Sequence, residues 1–125
     1  MRLHLVIFLV VAGLMGACVT PSIPIPPPDP SEMTFHLSGV GVDTAVVFTY
    51  AANGAYVGCY ATVFDRNTGR SVGQLTESDG SVSPTLPLPA TLGDNIVVSI
   101  ECDKQTVATC IVLREGAQDP TVYCQ

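Results

Sequence analysis

Thiols are the most reactive groups in this chain, and there are five: Cys18, Cys59, Cys102, Cys110 and Cys124. A thiol can ligate a metal, attack a carbonyl, accept a lipid or pair with a second thiol. No two of these cysteines stand as C-x-x-C, so the usual signature of a structural zinc site is missing. Five is also an odd number. In an oxidising compartment four thiols close two disulfides and one is left over.

The odd thiol has a distinctive setting. Arg2 precedes an apolar run over 5–14, and the small residues Gly16 and Ala17 follow it. A short basic start, an apolar stretch and small residues form the pattern of a secretory signal peptide. The run is shorter than the roughly 20 residues that a transmembrane helix needs. Met15-Gly16-Ala17-Cys18 resembles the lipobox of bacterial lipoproteins. That resemblance implies cleavage before Cys18 and a diacylglycerol on its sulfur. It also implies two or more acyl chains, enough for stable anchoring in a membrane. Val19 follows the cysteine where the Gram-negative sorting rule reads Asp as an inner-membrane signal, so the resemblance implies the outer membrane in such an organism.

With Cys18 assigned to lipid, Cys59, Cys102, Cys110 and Cys124 remain as two disulfides. Cys102–Cys110 with Cys59–Cys124 is the preferred connectivity. Cys59–Cys102 with Cys110–Cys124 stays open, because positions 110 and 124 are symmetric about Ala117 and would face each other across a hairpin. Loop-closure entropy sums to about 7 kcal/mol for either set and does not choose between them.

Other chemistry is sparse. Beyond the leader the only histidine is His36, and there is no G-x-S-x-G elbow to supply a serine nucleophile. Asp65, Glu77, Asp79, Asp94 and Asp103 lie in or beside expected turns. Gathered at one end of a domain they would offer oxygens to Ca²⁺; as ordinary turn residues they bond to nearby backbone. Tyr50, Tyr56 and Tyr60 flank Asn53-Gly54 and are the only aromatic group that could form a sugar platform. Neither a cofactor nor an enzymatic activity is expected.

These residues must be held by a small, acidic chain. It has 125 residues, 13% charged, with net charge −6. Residues 18–125 carry four Lys/Arg against eleven Asp/Glu. Nucleic acid, which demands a cationic patch, is excluded as a partner. The segment 21–30, PSIPIPPPDP, holds six of the ten prolines. Proline lacks an N–H and fixes φ, so polyproline II is expected, a spacer of about 40 Å over 19–31 at roughly 3.1 Å per residue. After it, short β-runs are expected at 34–40, 44–51, 56–64, 71–77, 96–102, 107–113 and 121–124, with turns between. The 82–88 stretch, with its prolines, is an edge or a coil. Asn53-Gly54 reads as a hairpin turn. Residues Ile96, Val98, Ile100 and Cys102 share one face of their strand.

The block 63–102 resembles carboxypeptidase regulatory-like (prealbumin-like) and bacterial Ig-like domains. The shared features are Asn67-Thr68-Gly69, the 76–80 turn, Leu86-Pro87, and Gly93-Asp94 before Ile96. The resemblance implies an all-β, seven-stranded Greek-key sandwich and no activity. The expected organisation is a signal peptide at 1–17, acylated Cys18 with a Pro-rich tether at 18–31, and the sandwich at 32–125. The function this implies is a lipid-anchored module of the cell envelope that is structural or binds envelope or surface proteins. A small periplasmic inhibitor of an envelope-directed hydrolase is one alternative; an enzyme, which would have to use His36, is the second and the less favoured.

Overall fold

Alternation of apolar and polar residues decides which faces these strands hide. In the computed structural model, which describes residues 23–39 and 44–124, the strands form two antiparallel four-stranded sheets. The expected leader and Cys18 lie outside the described residues. The strands are β1 (Met33–Leu37), β2 (Ala45–Tyr50), β3 (Tyr60–Asp65), β4 (Ser71–Leu75), β5 (Leu88–Pro89), β6 (Asn95–Cys102), β7 (Gln105–Val112) and β8 (Gly116–Ala117). One sheet has the order β5-β2-β1-β8, the other β4-β3-β6-β7. The strands at the heart of each sheet bury every second residue: Met33 and Phe35 on β1, Val46, Phe48 and Tyr50 on β2, Ala61 and Val63 on β3. On β6 the buried set is Ile96, Val98 and Ile100. The two inner faces meet in a β-sandwich core, where the rings of Phe35 and Phe48 lie 4.9 Å apart in a tilted arrangement.

Eight strands stand where seven are expected, because two-residue elements contribute. Pro84, Pro87 and Pro89 limit the 82–89 segment to a bridge from Val82 to Tyr50 and the short edge strand β5. The expected closing strand at 121–124 does not form. The chain leaves β7, crosses to the first sheet and pairs as β8 with Thr34 and Phe35. The Asn53-Gly54 hairpin does not form either. Asn53 caps a 3₁₀ turn over Gly54–Tyr56, its side chain accepting from the Ala55 N–H, and the chain passes from one sheet to the other.

That crossing is tightly packed. Gly80 has φ +79° and presses on the Asn53 carbonyl; a Cβ at Gly80 would lie 1.7 Å from that oxygen. The strand directions sort the loops into two ends. The β6–β7 turn, the 51–59 crossing and the 76–81 turn share one end. The β3–β4 turn and the turn before β6 share the other.

The disulfides are Cys59–Cys102 and Cys110–Cys124, so the preferred alternative from sequence is corrected. The register explains it. In the β6–β7 hairpin Cys102 faces Gln105 and Cys110 faces Val97, so Cys102 and Cys110 stand far apart along the ladder. Tyr60 faces Glu101, which brings Cys59, one residue earlier, opposite Cys102 at a Cα separation of 4.5 Å. The second bond fastens the C-terminal segment to the edge strand β7, across 5.3 Å between Cα atoms.

Two outcomes follow from this packing. Loop lengths of 43 and 14 residues predict that removing Cys59 and Cys102 together lowers the unfolding free energy by up to about 4 kcal/mol, against about 3 for Cys110 and Cys124. Urea denaturation of the two double-alanine variants measures this, and the reverse order would contradict the loop argument. Gly80→Ala is expected to cost more than the roughly 1–2 kcal/mol of a left-handed non-glycine residue, since the Asn53 backbone must also move. Gly58→Ala, at φ +74° with open space around it, is expected to cost no more than that range.

Candidate functional site

Two constellations stand out, one at each end. The first begins with parity. Asp65 sits at the end of β3 on the same side as Ala61 and Val63, so its side chain enters the core. Asp94 precedes β6 on the side of Ile96 and Val98. Because Asp65 faces Ile96 in the ladder, the two carboxyls come together at the β3–β4 turn end. Asp65 is fully buried. Its Oδ1 accepts from the N–H groups of Asn67 (2.8 Å) and Thr68 (3.3 Å), which shapes the turn. Its Oδ2 has no donor. Asp94 Oδ2 accepts from the Thr91 N–H at 2.9 Å, and Asn67 Oδ1 from the Asn95 N–H at 2.8 Å.

Burial, and then the neighbouring Asp94 carboxyl, push the Asp65 pKa above the usual carboxylate range; the two turn N–H groups oppose this. Both carboxylates are acceptors, so only a shared proton can complete the contact. Of the five turn carboxylates only these two meet. Glu77 and Asp79 lie in a turn at the other end, where Asp79 accepts from Ser81 and Glu77 from Ser83. Asp103 occupies the β6–β7 turn with φ +51°. Among the described residues no three His, Cys, Asp or Glu side chains are placed to hold a metal.

The second constellation is a docked strap. Residues 23–32 lie along β7 and the 51–59 crossing. Gln105 uses its amide as a backbone strand would: Oε1 accepts from the Ile25 N–H at 3.0 Å and Nε2 donates to the Ile23 carbonyl at 2.9 Å. The Thr109 hydroxyl donates to the Pro28 carbonyl at 2.6 Å, and the Tyr56 hydroxyl to the Pro26 carbonyl at 2.7 Å. The Tyr50 hydroxyl accepts from the Asp29 N–H at 2.8 Å. Pro28 is buried, and Ile25 packs on the core. Prolines offer carbonyls but no N–H, so side-chain donors do what a β-ladder cannot. A groove of about 480 Å³ remains beside the strap, between Pro27–Pro30 and Thr109, Cys110 and Tyr123.

Tyr50 and Tyr56 therefore hold the strap and are buried, with ring centroids 5.6 Å apart. Burial raises the pKa of both phenols, and they stay protonated. Tyr60 alone of the three is well exposed, its ring lying over Gly73. No motif in the sequence marks Gln105 or Thr109 for these roles. The one signal that points to them is the run of proline carbonyls, which needs donors from elsewhere in the chain. His36 Nδ1 lies 3.0 Å from Glu115 Oε1 on an open strand face, the two side chains 63% and 48% exposed. That carboxylate also accepts from the Leu37 N–H at 2.8 Å. The pair is a surface contact, worth little to stability.

Comparison with known proteins finds no match among protein-family models, curated proteins or solved structures.

The carboxyl pair has a pH signature. In the folded protein Asp65 keeps its proton at pH values where the unfolded chain has released it. Stability therefore falls as pH rises from the unfolded carboxylate value through the folded one. Asp94→Asn keeps an acceptor for the Thr91 N–H and brings an amide donor toward Asp65. It is expected to stabilise the protein by about 1 kcal/mol at neutral pH, the gain fading at about pH 4 and below, where the unfolded chain also binds the proton. Thermal unfolding of both proteins across pH checks this; a gain independent of pH would contradict the shared-proton account.

Proposed function

We propose that the chain is a lipid-anchored module of the bacterial cell envelope, acylated at Cys18, whose sandwich is structural or binds an envelope or surface protein. The observation that carries the reading is thiol parity. The described cysteines pair as Cys59–Cys102 and Cys110–Cys124, and Cys18 alone stays outside both bonds, at the end of an apolar run with Gly16 and Ala17 before it. Disulfides belong to an oxidising compartment, in keeping with export.

The finer fold reading is an Ig-like Greek key. What supports it is the path of the chain, which leaves β2 for the sheet of β3 and β4 and returns to pair β5 with β2; β8 is added beside β1. The acidic surface gives no electrostatic pull toward anionic lipid, so attachment rests on the acyl chains.

The test is intact mass of the protein extracted from membranes, with detergent phase separation. A chain starting at Cys18, carrying acyl groups and lacking free thiols, is the expected result. Cys18→Ser is expected to leave the protein in the aqueous phase. A chain that keeps its leader and partitions into the aqueous phase would overturn the proposal.

A further inference from the structure

The strap fixes where the chain leaves the sandwich. Ile23 is held at Gln105, the first residue of β7, so the chain before it departs at the β6–β7 turn end. From Cys18 to Ile23 there are only five residue steps, about 18 Å when fully extended. The eight residues of β6 alone run roughly 23 Å at about 3.3 Å per residue. The expected 40 Å spacer is thus mostly absorbed by the domain.

The same end carries a group of exposed apolar side chains. Ile23 is 86% exposed, Leu75 68%, Val57 52% and Tyr60 42%. Leu75 faces Tyr60 in the β3–β4 ladder, and Val57 is two residues from Cys59 in the crossing. Tyrosine with aliphatic neighbours suits the boundary between headgroups and acyl chains. Glu77, Asp79, Glu101 and Asp103 lie at this end with Lys104, so its charge is acidic. That favours zwitterionic headgroups and limits the contact to a shallow one.

We infer that the acylated protein stands end-on at a lipid surface, with the β6–β7 turn end against the headgroups and the β3–β4 turn end, with Asp65 and Asp94, facing away. This rests on the acylation proposed above. The strap hydrogen bonds act as a clamp that shortens the tether and orients the domain.

The chain has no tryptophan, so one introduced indole reports alone. Leu75→Trp places it at the lipid-facing end and Leu92→Trp at the far end, both replacing exposed leucines. The acylated variants are reconstituted in phosphatidylcholine vesicles carrying a nitroxide on the headgroup, after circular dichroism shows them folded. Indole emission is expected to be strongly quenched in the Leu75→Trp protein and spared in the Leu92→Trp protein. Equal quenching, or the reverse, in protein whose intact mass shows acyl chains would overturn the orientation alone. Absence of acyl chains would overturn the anchoring and the orientation with it. Adding Gln105→Ala and Thr109→Val to each variant is expected to bring the two signals together; an unchanged contrast would show that the strap does not set the orientation.

Discussion

The register of β3 against β6 decides more of this molecule than any other single contact. Tyr60 opposite Glu101 sets Cys59 against Cys102 at one end. Asp65 opposite Ile96 sets the Asp65 carboxyl against Asp94 at the other. The same alignment puts Ala61, Val63, Val98 and Ile100 inward and Tyr60, Thr62 and Ser99 outward. A slip of one residue would reverse every one of those faces and part the cysteines. The disulfide therefore does more than restrict the unfolded chain: it is compatible with one alignment of the two central strands.

How much of this is legible in the sequence depends on the range of the interaction. Alternation over 96–102 identifies the buried face of β6, because strand period and burial are local facts. Prolines at 84, 87 and 89 mark the weak edge for an equally local reason. Asn53-Gly54 misleads because the same two residues suit a hairpin turn and a capped 3₁₀ turn. The packing of Gly80 under the Asn53 carbonyl, 27 positions away, goes with the second. Disulfide connectivity is not legible for the same cause. Loop entropy weighs the two pairings alike, and only the cross-strand register separates them. Of the candidate site, the turn role of Asp65 follows from local sequence, whereas its meeting with Asp94 needs the ladder.

The strap shows a different limit. Composition keeps the proline-rich segment out of the sheets, since proline fixes φ and has no N–H: residues 23–29 join no strand, and Pro30–Glu32 close a 3₁₀ turn capped by Asp29. Composition says nothing about whether that backbone is solvated or held. Four side chains decide it: Tyr50, Tyr56, Gln105 and Thr109. They come from β2, the crossing and β7, elements that the fold alone makes neighbours. Proline stiffness lowers the entropy lost on docking, so a few hydrogen bonds and the burial of Pro28 and Ile25 suffice to hold the segment.

The acidic groups of this chain respond to pH in two opposed ways, and the difference is geometric. Asp29, Asp79 and Asp119 each accept hydrogen bonds from a serine or threonine two residues on, which holds their pKa below the usual range. Glu115 is lowered by His36 and the Leu37 N–H. Whatever these groups add to folding is present above their unfolded values and is lost as pH falls through the folded ones. They are exposed, and solvent screens them, so each adds little. Asp65 runs the other way. Burial and Asp94 raise it, and its burden on the fold is relieved as pH falls. A buried acceptor with two N–H donors on one oxygen and none on the other is costly at neutral pH. It persists because the donors it does serve, Asn67 and Thr68, form the turn that returns β3 into β4. Asn67 in turn accepts from Asn95 at the start of β6. The carboxyl that strains the core is thus the one that ties its central strands together at that end, opposite the disulfide.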